Sequence, residues 1–240
     1  MNDFDLTVDD VSRFIVVEGP IGVGKTSLAK KLADSYSGSL ILEEIDNNPF
    51  LDRFYKGGRG ALPAQLFCLF QRAKQLEILR QSDLFSSTYI ADFHIEKDRL
   101  FASVNLDASE MDLYEKVYEN MDIERSTPDL VIYLQASPDI LLERIAQRNI
   151  QSERSIDRNY LVNITETFAS HYHAYNEGPL LIVNTASIDP INNENEYQQL
   201  LEQIKEVRVG RHFFNRPTLW SFDISRMLAG ALFMLGAAYT

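Results

Sequence analysis

The chain is poor in cysteine, short of positive charge and free of long apolar runs. Cys68 is the single cysteine among 240 residues. An intrachain disulfide and a cysteine-built metal centre are therefore excluded. Its neighbours Phe67 and Leu69 suggest a core position. Lys and Arg number 23 against 35 Asp and Glu, a net charge of −12, with no basic run. A protein that grips polymeric nucleic acid by its backbone needs a basic stripe, so no such partner is expected. The first residues, from Met1 to Asp5, are acidic and precede no apolar core of a signal peptide, so a cytoplasmic location is expected. Met227 to Thr240 is uncharged and apolar but too short to span a bilayer. It is expected to be a packed tail or interface helix, and no membrane contact is expected. The four histidines are scattered; only His171 and His173 are close, and on a helix they point to different faces.

What is present is ordinary globular composition, 45% hydrophobic and 24% charged. Short β-branched runs alternate with helical stretches and show no internal repeat. The expected strands are 14–18, 39–42, 88–91, 130–134 and 180–183. Between them the spacing predicts helices over 26–36, 48–55, 63–81, near Glu96, 111–120, 137–148, 156–175 and 194–207. That alternation implies a parallel five-stranded sheet with helices on both faces.

One motif states its chemistry directly. Gly19-Pro-Ile-Gly22-Val23-Gly24-Lys25-Thr26 follows the first strand and opens a helix, the setting a P-loop requires. The glycines let backbone N–H groups converge on phosphates, and the helix N-terminus adds its dipole. Lys25 brings a point charge to the β- and γ-phosphates, and the Thr26 hydroxyl is placed for Mg²⁺. Val23 and Ser27 complete the expected nucleotide-binding set, and the cofactors implied are ATP and Mg²⁺.

The reaction needs more than a P-loop. No Asn-Lys-x-Asp motif reads a guanine base, and the compact length favours a small-molecule kinase over a motor or transporter. Arg144, Arg148, Arg154 and Arg158 form a candidate lid. Arg144 and Arg148, four apart on one helix face, could turn toward the same phosphate. A hydroxyl acceptor also needs a base. Glu43 and Glu44 end the second expected strand and Asp92 the third, on the edge where open α/β sheets bind ligands. Adjacent strand residues face opposite ways, so one of the two glutamates is expected in the pocket.

These features together resemble the deoxyribonucleoside kinase family, especially its bacterial deoxyadenosine/deoxyguanosine kinase branch, over roughly residues 13 to 215. The resemblance implies that Glu43, opening Glu43-Glu-Ile-Asp-Asn-Asn-Pro49, is the catalytic base for a 5′-hydroxyl. It places Tyr55 and Glu153 at the sugar 3′-hydroxyl, Gln65 and Arg72 at the base edge with Asp98 as partner of Arg72, and Phe101 among the substrate contacts. Arg144 and Arg148 match the first lid arginines. It further implies residues 1–216 as the kinase domain, with 217–240 an apolar tail, and a homodimer built on long helices. Two departures stand out. The family's Asp/Glu-Arg-Ser after the third strand is Asp92-Phe93-His94 here, and its Arg-Gly-Arg lid is Arg148-Asn149-Ile150. Both remove positive charge from the phosphate site. Lys97, about one helical turn past Phe93, is the expected substitute for the missing arginine, though a Lys gives a point charge where Arg gives a planar fork. A monophosphate kinase and a nucleotide-binding protein without turnover are the alternatives.

Overall fold

The computed structural model describes residues 14–44, 48–57, 60–81, 88–121 and 127–215; the expectations for the N-terminus and for the tail from 217 fall outside them. Six strands make one parallel sheet, in the order β2-β3-β1-β4-β5-β6. They are β1 (Phe14–Glu18), β2 (Ser39–Ile41), β3 (Tyr89–Ala91), β4 (Leu130–Gln135), β5 (Leu180–Asn184) and β6 (Arg211–Phe214). Every neighbouring pair runs parallel. Between them run α1 (Lys25–Tyr36), α2 (Leu51–Gly57), α3 (Ala61–Gln81), α4 (Glu96–Asn105), α5 (Ala108–Asn120), α6 (Pro138–Arg148), α7 (Arg158–Ala174) and α8 (Glu194–Glu206), with a 3-10 turn at Gln151–Ser155.

Five strands were expected and six are found. β6 is the addition. Among the described residues it sits on the sheet edge, paired with β5, and its residues alternate between exposed and half-buried. Arg211 and His212 break the apolar run by which a buried strand is recognised. The central strands do read as such runs: every residue of β1 is buried, as parallel strands covered on both faces require. Ile15, Val17, Ile132 and Leu134 pack on Leu28 and Leu32 of α1. On another face, Val16, Ala91 and Phe93 join Leu69 of α3 and Tyr114 of α5.

Helix ends follow local chemistry. Asp107 caps α5 with a full capping box against Glu110, which starts that helix three residues earlier than the apolar spacing suggests. Asn48 accepts from Phe50 N at 3.0 Å and donates to Ala64 O at 3.0 Å, so it and Pro49 precede α2 instead of opening it. Cys68 is half-buried, not core. Its position on α3 faces Asn48, whose Nδ2 donates to Sγ at 3.3 Å, while Leu69 beside it takes the core direction with no exposure.

Candidate active site

The C-terminal ends of β1, β2 and β3 carry the P-loop, Glu43 and Asp92. At Gly22 the loop backbone has φ +81°, and a β-carbon there would stand 2.8 Å from Ile145 Cγ1 of α6. Only glycine takes both that conformation and that approach without strain. Gly24, at φ +104°, precedes the first turn of α1. Val23 is buried in the core, and Ser27 is exposed on the first turn of α1. Lys25 Nζ donates to Pro20 O at 2.9 Å. Burial, and then the nearby Lys97, push the Lys25 ammonium down to about 7, against Glu18, Glu43 and Asp92.

Asp92 ties the P-loop helix to the end of β2. Its Oδ2 accepts from the Thr26 hydroxyl and its Oδ1 accepts from Glu43 N at 2.7 Å. The Thr26 hydroxyl and the Asp92 carboxylate are hard oxygen donors side by side. That donor set fits Mg²⁺, which takes oxygen ligands and retains several waters.

Of the two adjacent glutamates, Glu43 turns inward and Glu44 is exposed. The Glu43 carboxylate is held on both oxygens. Oε1 accepts from Arg72 Nε at 2.7 Å and from a terminal nitrogen of Arg72, while Oε2 accepts from Lys97 Nζ at 2.6 Å. The side chains of Arg72, Lys97 and Glu43 are 4%, 3% and 7% exposed. Neither Arg72 nor Lys97 is therefore a solvated surface charge. Burial alone would raise the Glu43 carboxyl, but Arg72 and then Lys97 outweigh it and hold it at about 2.

Arg72 also pairs with Asp98, as the resemblance implies. The other Asp98 oxygen accepts from Tyr114 OH at 2.6 Å. Gln65 Nε2 donates to Asp98 O at 3.2 Å, and Gln65 Oε1 accepts from Asn105 Nδ2 at 3.4 Å. Tyr114 and Asn105 were not anticipated, because nothing local in the sequence marks them; their partners lie 16 and 40 positions away. Tyr55 packs on Phe54 and Tyr160, with ring centroids 5.0 and 6.2 Å apart. Burial pushes its hydroxyl well up, and Glu153 is among the charges acting in the same direction. Tyr55 lies on α2, which packs against the 3-10 turn that carries Glu153. Phe101 packs edge-on against Phe168 of α7, 5.5 Å between centroids.

The lid differs from its expected form. Arg144 donates to Val23 O at 3.3 Å, to Thr185 Oγ1 at 3.0 Å and to Thr185 O at 2.8 Å, which lays it against the P-loop. Arg148, one turn on, pairs with Glu153, so the two arginines serve different partners. Arg154 donates to Asn149 Oδ1 at 2.9 Å. Arg158 pairs with Asp139 in the first turn of α6, the end opposite Arg148. Arg158 therefore does not join the lid. The long i, i+4 side chains are drawn apart because each finds its own nearby oxygen. A cavity of about 260 Å³ opens beside the P-loop, lined by Gly24, Arg144, Thr185, Asp189, Pro190 and Asn192 among others. Lys31 holds its far wall, donating to Pro190 O at 3.2 Å and Ile191 O at 3.3 Å. Sequence spacing carries no signal for this loop. Among the described residues no group of three or more His, Cys, Asp and Glu is placed to hold a metal ion, and no helix is long and apolar enough to cross a membrane.

A P-loop, a paired carboxylate on the next strand and a cationic helix above it define a phosphotransferase site. The sequence matches the family model described as deoxynucleoside kinase over residues 15–208. It is 32% identical to the deoxyguanosine kinase of Bacillus subtilis over 204 residues, covering 82% of this chain and 98% of that protein. It is 30% identical to the deoxyadenosine kinase of Lactobacillus acidophilus, covering 80% and 94%. The fold matches a structure of deoxyadenosine kinase from M. mycoides with bound dATP, at a TM-score of 0.70 and 22% identity, over 80% of this chain and 98% of that one. The chain belongs to the deoxynucleoside kinase family. It is accordingly an enzyme, a nucleotide-using transferase that phosphorylates deoxynucleosides, and the P-loop sheet expected from the sequence is the fold it has, with six strands in place of five.

Proposed function

We propose that the protein transfers the γ-phosphate of ATP to the 5′-hydroxyl of a purine deoxyribonucleoside, deoxyadenosine or deoxyguanosine, in nucleotide salvage. The observation that carries this reading is the bonded path from Thr26 through Asp92 to Glu43, Arg72 and Lys97, which joins a phosphate site to a proton acceptor. The purine choice rests on the relatives named above and on the Gln65, Arg72 and Asp98 cluster, which offers donors and an acceptor to a base edge.

Glu43 accepts the 5′-hydroxyl proton as the hydroxyl attacks the γ-phosphorus in line and the bond to the β-phosphate oxygen breaks. Its Oε2 is bonded to Lys97, and a carboxyl held at about 2 is a weak base. Lys97 turning from Oε2 to a γ-phosphate oxygen both frees that oxygen and supplies the positive charge that Phe93 cannot. Lys25 and the P-loop amides hold the β- and γ-phosphates, and Arg144 and Arg148 close over them. Thr26 and Asp92 would hold Mg²⁺, which supplies further neutralisation of phosphate charge. The donor base fits the cavity between Arg144 and the 188–192 loop. Tyr55 and Glu153 take the 3′-hydroxyl, with Phe101 at the edge of the acceptor pocket.

A homodimer is part of the reading. Phe70 on α3 and Leu113 on α5 stand 53% and 48% exposed, large apolar side chains that a helical interface would cover. A cytoplasmic location is expected with it. The test is turnover of labelled ATP by the purified protein against a panel of deoxynucleosides and deoxynucleoside monophosphates. Labelled dAMP or dGMP is expected. A clear kinetic preference for thymidine refutes the purine assignment, and label on a monophosphate acceptor alone refutes the nucleoside assignment.

A further inference from the structure

One buried charge beside this site has no part in the transfer just described. Glu18 ends β1 and has no solvent exposure. Both its carboxylate oxygens accept from peptide N–H groups: Oε2 from Gly19 at 3.0 Å and Oε1 from His94 at 2.5 Å. Gly19 is the first residue of the P-loop. His94 lies in the turn between β3 and α4, where the sequence has Phe93 in place of the family's arginine. Because β1 and β3 are adjacent parallel strands, Glu18 spans their C-terminal ends and fixes the two turns against each other.

The same turn delivers Lys97. The carbonyl of His94 accepts from Lys97 N at 3.2 Å, so the peptides on either side of His94 connect Glu18 to the backbone of Lys97. The charges connect as well. A carboxylate this deep is tolerated only with compensation, because stripping its water carries a large penalty. Burial pushes the Glu18 carboxyl up, and the largest opposing influence is Lys97, followed by Lys25. Lys97, in turn, is held above the usual lysine range against its burial first by Glu43 and then by Glu18. Both carboxylates thus favour the charged form of Lys97, Glu43 through a direct bond and Glu18 without one.

We propose that Glu18 is a positioning residue for phosphoryl transfer: by holding Gly19 N and His94 N on its two carboxylate oxygens it fixes the turn that presents Lys97 to Glu43 and to an incoming phosphate oxygen. This rests on the reading of Lys97 as the transfer-site cation. Glu18 touches no substrate; its charge also acts on Lys25, and an effect on transfer that depends on Lys97 is what distinguishes it from a brace that holds the two turns for general stability.

A double-mutant cycle on kcat separates these roles. Glu18→Gln is expected to lower kcat about tenfold or more while KM for the deoxynucleoside stays within about twofold. Lys97→Met is expected to lower kcat by at least about tenfold. In the Lys97→Met background, Glu18→Gln is expected to change kcat less than about threefold, since the group it serves is gone. An equal loss in both backgrounds overturns the proposal and leaves the role of Lys97 standing. A silent Lys97→Met overturns the Lys97 reading and this proposal together. Unchanged kcat in Glu18→Gln also overturns it. Should Glu18→Gln fail to fold, Glu18→Asp enters the same cycle. It keeps the charge but withdraws the carboxylate from His94 N, and its loss of kcat is again expected to disappear without Lys97; a loss of equal size in both backgrounds is the overturning result.

Discussion

The transfer centre and the lid both pair basic side chains with carboxylates, yet they are built in opposite ways. In the centre, Arg72, Lys97, Glu43 and Asp98 are buried and mutually bonded. In the lid, Arg148 is 45% exposed and pairs with Glu153, 15% exposed; beyond the lid, Arg158 and Asp139 are 56% and 66% exposed. Exposed ion pairs are worth about 0–1 kcal/mol, whereas removing one member of a buried pair costs roughly 3–5 kcal/mol. The lid pairs can therefore exchange partners cheaply when phosphates arrive, and the centre cannot lose a member without consequence.

The sharpest way to break this contrast is at Glu43. Glu43→Gln keeps the shape and removes the proton acceptor, so turnover is expected to fall by about 10²–10⁴-fold. Glu44→Gln, one residue away and exposed, is expected to stay close to wild type. Steady-state assays that find the reverse would move the base by one position.

Next in size is Arg72. Arg72→Met leaves Glu43 and Asp98 short of a counter-ion, and a loss of about 3–5 kcal/mol of stability is expected in denaturant titration. The pH dependence follows from the same pair. Glu43 is held at about 2 in the folded chain, below its ordinary value of 4.5. Its contribution is therefore fully present above about 4.5 and is lost as pH falls toward 2. In Arg72→Met that acid dependence is expected to weaken.

A smaller effect concerns Lys25. With its ammonium pushed down to about 7, it is charged below that pH and neutral above it in the unliganded protein. Phosphates favour the charged form, so nucleotide binding is expected to take up a proton above pH 7. Affinity should weaken from pH 7 to 9 by up to about tenfold per unit. Calorimetry in buffers of different ionisation heat reads the proton directly, and Lys25→Met should abolish the uptake. The smallest effect is expected outside the lid: Arg158→Ala should leave both turnover and stability close to wild type. A large loss of turnover there would return Arg158 to the lid.

The two regions were also unequally legible in the sequence. Gly19 to Thr26 announces itself because its chemistry is local: glycine spacing, strand before, helix after. Glu43 over Glu44 followed from the family resemblance, and Lys97 from one helical turn of separation from Phe93. Glu18 was passed over because a single glutamate at the end of an apolar strand looks like a strand terminator. Its meaning lies in His94, 76 positions away. Tyr114 and Asn105 are hidden for the same reason. The lid was less legible: Arg144 and Arg148 share a helix face by spacing, while Thr185 and Glu153, the oxygens that engage them here, lie far off in the sequence or in the following turn. The sixth strand, short and mixed in polarity at the sheet edge, carries no apolar run to find.

The bond from Lys25 to Pro20 O bears on the speed and selectivity of nucleotide capture. The ammonium lies in a protein environment and points along its own loop, so part of its dehydration is already built into the folded state. An incoming phosphate replaces a carbonyl oxygen, a neutral acceptor, with an anionic one, and the exchange runs in favour of the stronger acceptor. A nucleoside without phosphates offers no such exchange. The loop thus discriminates against uncharged look-alikes at the moment of entry, before any base or sugar contact has formed.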